Sequence, residues 1–198
     1  ACGPERLVPD WVTGQIYLPP DESAEDFQRR IRAEFQARPP LWIRFRPTPA
    51  GAAFTRFQAS CPGAEAHPHR PDALRLPARF NLRGHPDWEK HLIVQDLASQ
   101  AVAAVCRPQP GETWWDACSG AGGKALHLAD LMGSSGTILA TDIRPAILEE
   151  NRRRARKAGV HTIRCQLWKI PQDPAPTRRF DGVLLDVPCS GLGTWARN

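Results

Sequence analysis

The chain has 198 residues, 41% hydrophobic and 24% charged, with a formal net charge of +5, proportions that suit an ordinary globular protein of one large or two small domains. No stretch approaches the roughly 18 consecutive apolar residues of a membrane helix, and the first residues lack the basic, apolar and small-residue order of a signal peptide, so the expected location is cytoplasmic or nuclear. The six cysteines, Cys2, Cys61, Cys106, Cys118, Cys165 and Cys189, form no CxxC pair and have no histidine nearby at ligand spacing, which argues against a metal site and against a disulfide scaffold.

Thirteen of the 20 prolines fall in the first 86 residues, so this half is expected to be irregular. One helix is predicted from Ser23 to about Ala37, with Ser23 as N-cap, Asp26 three residues on, and Phe27, Ile31 and Phe35 on one face. Leu41 to Arg46 alternates as a strand, with Leu41, Ile43 and Phe45 on one side and Arg44 and Arg46 on the other. Those two arginines can face phosphate or simply water, and the solvated face is the commoner outcome. A helix is predicted from about His91 to Cys106, on the spacing of Val94, Leu97, Ala98, Ala101, Val102 and Val105.

Strands and helices then alternate: strand Thr113 to Ala117, helix Lys124 to Met132, strand Thr137 to Thr141, helix Pro145 to Ala158, and strands at His161 to Trp168 and Phe180 to Leu185. Pro145 stands where a first-turn proline belongs and Gly159 where a terminating glycine belongs. Such alternation implies an α/β fold, a doubly wound parallel sheet with ligands at the carboxyl ends of its strands. The cations Arg152, Arg153, Arg154, Arg156 and Lys157 wrap most of one helix and read as a solvated face.

Arginine supplies 22 of the 26 basic residues. Guanidinium groups suit phosphates and bases, although the composition of a GC-rich genome accounts for the excess equally well. The chain starts Ala1-Cys2-Gly3 and stops at Trp195-Ala196-Arg197-Asn198, in what reads as a loop, so a piece of a longer protein is expected.

Three constellations carry chemistry. Asp116-Ala117-Cys118-Ser119-Gly120-Ala121-Gly122-Gly123-Lys124 turns from a predicted strand into a predicted helix, and its glycines let backbone approach a ligand. It is not a phosphate-binding P-loop, because Ala125 follows the GK pair. Asp142 ends the next strand 19 positions after Gly123, placed to accept bonds from the two hydroxyls of a ribose. A dinucleotide and S-adenosyl-L-methionine are both candidates at this point. Asp186-Val187-Pro188-Cys189-Ser190-Gly191-Leu192-Gly193 then puts an acid and a thiol at the end of another strand, where a doubly wound enzyme does its chemistry.

From about Phe80 to Asn198 the sequence resembles the S-adenosylmethionine-dependent RNA cytosine-5 methyltransferases. Gln95-Asp96-Leu97-Ala98-Ser99-Gln100 resembles that family's QDxxSQ segment, Asp116 to Lys124 its DxCAAPGGK loop, Asp186 to Gly193 its DxPCSGxG motif, and Arg197-Asn198 the RN after it. The resemblance implies a Rossmann-like methyltransferase domain over 84–198 and a small α+β domain over 1–83, carrying Trp11, that helps to hold RNA. It implies methyl transfer to carbon 5 of cytosine in ribosomal or transfer RNA by a cytoplasmic monomer without metal. S-adenosylmethionine would be held by Cys118, Ser119, Gly120, Ala121, Gly122, Gly123, Lys124, Asp142, Lys169 and Asp186. Asp186, Lys124 and Cys189 would be catalytic, with Cys189 promoting release; the attacking cysteine belongs to a later Thr-Cys motif, so this piece alone is expected to be inactive.

Two departures stand out. Ser119-Gly120-Ala121 replaces Ala-Ala-Pro, keeping small residues. Trp168-Lys169 stands where the family has an acid for the adenine amino group; lysine cannot accept that bond, Trp168 offers a ring to stack, and Asp173 lies further along a proline-rich loop. Three alternatives compete with the leading reading: a non-catalytic RNA-binding protein with this fold, a DNA cytosine-5 methyltransferase using Cys189 as nucleophile, and, more distantly, a nicotinamide-dependent dehydrogenase.

Overall fold

The computed structural model describes residues 17–37, 39–46, 52–77, 80–88, 90–189 and 191. Trp11, Ser190, Leu192, Gly193 and the Arg197-Asn198 pair lie outside the described residues. The chain divides into two compact units, Ala1–Pro39 with Pro188–Asn198, and Pro40–Val187.

In the first unit, helix α1 spans Ala24–Gln36. Ser23 caps it as expected, its side chain accepting the Asp26 N–H at 3.1 Å, which satisfies one of the helix's unpaired donors. Phe27 and Ile31 are its buried residues.

The second unit holds strand β1 (Leu41–Phe45), helix α2 (Ala52–Ser60), strands β2 (Glu65–His67), β3 (Arg70–Leu76) and β4 (Leu92–Val94), and helix α3 (Leu97–Cys106). Then come β5 (Thr113–Asp116), helix α4 (Gly123–Leu131), β6 (Thr137–Asp142), helix α5 (Pro145–Lys157), β7 (Ile163–Leu167) and β8 (Gly182–Leu184). The first four strands form a sheet in the order β2-β3-β1-β4, antiparallel throughout. Ile43, Phe45, Phe57, Leu74 and Leu92 form its core.

This regular sheet corrects the expectation of an irregular first half. Its hairpin joins Glu65–His67 to Arg70–Leu76 through Pro68-His69, so the prolines mark a turn rather than the absence of strands. The helix expected from His91 also begins later. Leu92–Val94 instead pairs with β1 (Ile43 opposite Val94, Phe45 opposite Leu92), and Asp96 stands at the N-cap position of the shortened helix without a side-chain capping bond. That helix buries Gln100 and Ala103, while Val105 is 78% exposed, because small side chains pack closest to the neighbouring helix and Gln100 finds a polar partner inside.

The remaining strands form a parallel sheet in the order β7-β6-β5-β8, the α/β architecture expected from the alternation. Pro145 opens α5, and Gly159 follows it with a φ of +66°. Successive strands run outward from β5 to β7, then β8 pairs on the other side of β5. The carboxyl ends of β5 and β8 therefore flank a topological switch point, where sheets of this kind open a crevice.

The β1 arginines contradict the solvated-face expectation. Arg44 is 1% exposed; its Nη1 donates to Asp130 of α4 at 2.6 Å and its Nε to Gln95 at 3.2 Å. Arg46 donates to the same carboxylate at 2.7 Å and to the carbonyls of Lys90 and Ala158. Strand alternation put both arginines on one side correctly; helices α4 and α5 cover that side. Among the described residues no helix is long and apolar enough to cross a membrane, and no cluster of His, Cys, Asp and Glu could hold a metal ion.

Candidate active site at the switch point

The loop between β5 and α4 is shaped by backbone needs that its residues meet. Ser119 N–H donates to the Thr141 carbonyl at 2.8 Å, tying the loop to β6. Gly122 precedes α4 at a φ of +81°, and a Cβ there would run into the buried amide of Asn151. Only glycine meets both demands. Asn151 in turn donates to Ser119 Oγ at 3.3 Å, and Arg154 donates to the Ala121 carbonyl at 3.0 Å. The arginine-rich helix thus has an inner side that braces the loop, while Arg152, Arg153 and Arg156 pair with Glu149 and Glu150 at its surface.

Three carboxylates end three strands around this loop. Asp116, at the end of β5, is completely buried, and neither oxygen has a hydrogen-bond partner among the described residues. Burial pushes its carboxyl up to about 7, helped by the nearby Asp186 and Asp142 carboxylates; the Lys124 ammonium and the Ala125 N–H, which faces it outside bonding geometry, oppose the shift. Asp142, at the end of β6, accepts from the Gly120 N–H at 3.0 Å and from the backbone and guanidinium of Arg144 at 2.9–3.0 Å. The Arg144 hydrogen bond, outweighing burial, holds its carboxyl below the usual range. Asp186, two residues past β8, is half-exposed and accepts from Lys124 Nζ at 2.5 Å.

Cys118 is partly buried, and burial together with the three carboxylates raises its thiol, which disfavours the thiolate a nucleophile needs. Cys189 is exposed and belongs to the other unit. Gln95 and Gln100 of the QDxxSQ segment are buried structural groups: Gln100 Nε2 donates to the Gln95 carbonyl at 2.9 Å, and Gln95 Nε2 to the Ser99 carbonyl. Past β7, Trp168 is partly buried. It packs edge-on against Trp115 at 4.9 Å and donates its indole N–H to the carbonyls of Asp173 and Pro174.

The loop, Lys124 and all three strand-end acids thus gather at one edge of the parallel sheet in the 40–187 unit. An unpartnered buried carboxylate beside a glycine turn fits a cationic group brought by a ligand, and a carboxylate on the neighbouring strand fits a diol. Residues 103–198 match the family model described as 16S rRNA methyltransferase RsmB/F. The matched part, just under half of the chain, belongs to that family. A relative from Synechocystis sp. named probable ribosomal RNA small subunit methyltransferase B is 41% identical, over all of this chain and 45% of its own length. Ribosomal RNA small subunit methyltransferase B of Salmonella dublin is 30% identical over 97% of this chain and 44% of its own length. The chain thus spans less than half of these RsmB relatives. The crystal structure of PH0851 superposes with a TM-score of 0.80 at 25% identity, covering 98% of this chain and 44% of that one.

Sequence reasoning missed Asn151, Thr141, Arg144 and Arg154, which act on the loop and on Asp142 from other elements. Asn151 left one signal. It stands in the buried stripe Leu148-Asn151-Ala155, where a polar side chain needs a partner.

Proposed function

We propose that this chain binds S-adenosyl-L-methionine in the β5–β6–β8 crevice and takes part in methyl transfer to carbon 5 of a cytosine in ribosomal RNA. The observation that carries the cofactor reading is Asp116, a buried carboxylate without a partner in a structure that pairs its other buried acids. Bound there, the cofactor supplies an activated sulfonium methyl group. The glycine loop admits its amino-acid end, Asp116 accepts its ammonium, and Asp142 accepts the ribose hydroxyls, with Arg144 giving up part of its hold.

Carbon 5 of cytosine is a poor nucleophile, so the reaction needs addition of a thiolate at carbon 6 and a partner for the base's N3 and amino edge. Asp186 is proposed as that partner, its carboxylate positioned by Lys124, and the exposed Cys189 as the group that promotes release of the product. Residues 1–83 are proposed to help hold RNA, with 84–198 as the methyltransferase part and a cytoplasmic setting. Arg44 and Arg46 are left out of the RNA contacts, because both are committed to Asp130.

Calorimetry with S-adenosylmethionine and S-adenosylhomocysteine tests the cofactor reading: one site is expected, lost in Asp116→Ala. A folded sample that binds neither overturns it. Binding to RNA and DNA oligonucleotides of one sequence tests the substrate. Preference for RNA is expected, while a covalent adduct on 5-fluorocytosine DNA abolished by Cys189→Ala favours the DNA enzyme instead.

A further inference from the structure

The sheet order fixes where a nucleoside's base would lie. A ligand with its amino-acid end at the β5 loop and its ribose on Asp142 at the end of β6 runs outward, so its base falls over the end of β7. The two strand ends are joined there, Trp168 N–H donating to the Asp142 carbonyl at 3.2 Å. An exocyclic amine at this place needs an acceptor, yet the first side chains past β7 are Trp168, Lys169, Ile170 and Pro171. Trp168 is spent on the loop, and lysine has no acceptor. Gln172 folds its amide back against the carbonyls of Lys169 and Ile170.

The loop then returns. Asp173 N–H donates to the Lys169 carbonyl at 2.8 Å, and Lys169 N–H donates to Asp173 Oδ2 at 2.7 Å. The Trp168 indole grips the carbonyls of Asp173 and Pro174 at 3.2 and 3.1 Å, and Trp115 backs that indole. Four hydrogen bonds therefore hold an exposed carboxylate beside residue 169, with one oxygen used and Oδ1 turned to no partner among the described residues. We propose that Asp173, carried back to the end of β7 by the closed 169–173 loop, accepts the adenine amino group of the cofactor, and that Lys169 contributes its backbone rather than its side chain.

This rests on the cofactor reading above, and the test separates the two. S-adenosylhomocysteine and its deaminated analogue S-inosylhomocysteine differ at the base: an amine donates to a carboxylate, whereas a keto oxygen is repelled by it. The chain is expected to prefer the adenosyl compound by roughly 10- to 100-fold, the range of one charge-assisted hydrogen bond. Asp173→Asn can still accept the Lys169 N–H, so the loop stays closed, but its amide can also donate; the preference should shrink to within about threefold. Asp173→Ala should weaken S-adenosylhomocysteine binding by about tenfold while leaving S-inosylhomocysteine nearly unchanged. Unchanged discrimination in Asp173→Asn, with the parent binding S-adenosylhomocysteine, overturns this assignment alone; a parent that binds neither compound overturns the cofactor reading first.

Discussion

Under β1, two guanidiniums and a carboxylate leave water together: Arg44 and Arg46 share Asp130 at 2.6 and 2.7 Å, and Gln95 and two carbonyls take the remaining donors but one. At the end of β5, Asp116 leaves water alone. Desolvation opposes both arrangements, but only the first answers it with an opposite charge in hydrogen-bond contact. The β1 cluster joins the antiparallel sheet to α4 and α5, and its task is complete within the chain. Asp116 is complete only when something else arrives. Inside one unit, balance among buried charges thus separates scaffold from site, a distinction that residue type alone does not make.

The largest expected effect breaks the balanced member. Asp130→Ala strands two buried arginines and should lower stability by about 3–5 kcal/mol, read by urea denaturation. A loss below about 1 kcal/mol would mean that water already reaches the cluster. Asp116→Asn should act in the opposite direction. Its carboxyl is raised from 3.8 to about 7 in the fold, so the folded state holds the proton more tightly. The stability linked to that proton is fully present below pH 3.8 and lost as pH rises through about 7. The asparagine variant, free of that loss, should be more stable than the parent by up to about 4 kcal/mol at pH 8 and close to it at pH 4. Cofactor binding should fall at least about tenfold. In the parent it should strengthen from pH 6 to pH 8, as Asp116 becomes able to accept an ammonium.

Much of this was legible in the sequence where local chemistry dictates local structure. Ser23 and Pro145 mark helix starts, Gly159 marks an end, and the acids closing β5 and β6 follow from a strand turning into a glycine-rich loop. Legibility failed where the deciding partner is distant. Arg44 lies 86 positions from Asp130, so alternation named its side of the strand but not what covers it. Leu92–Val94 is a strand because β1 lies beside it, despite a helical spacing that continues into α3. Asp173 is far from the end of β7 along the chain, and the Trp168 indole brings it back.

Arg144 tests the comparison at an intermediate case, a buried carboxylate with an exposed partner. Arg144→Ala should cost under about 1 kcal/mol, since the guanidinium is largely in water. The Asp142 carboxyl should rise toward 3.8, its ordinary value. A depressed acid stabilises the fold above its unfolded pKa and loses that contribution as pH falls through the folded value. The two stability curves should therefore converge in acid. Because Arg144 occupies acceptors that a ribose would use, cofactor affinity should rise by about two- to fivefold, or about 0.4–1 kcal/mol, and depend less on salt.

The smallest effects lie on α5, where neighbouring arginines face different surroundings. Arg153 pairs with Glu150 at 2.6 Å, both about two-fifths exposed, and an i,i+3 pair of that kind contributes only about 0.3–0.5 kcal/mol. Arg154, next in sequence, donates to the Ala121 carbonyl inside the glycine loop. Arg153→Ala should leave melting temperature and cofactor affinity almost unmoved, whereas Arg154→Ala should lower stability by about 1 kcal/mol and loosen the loop, weakening cofactor binding. Equal behaviour of the two variants would place Arg154 on the solvated face with its neighbour, and the inner side of α5 would then have no part in holding the site.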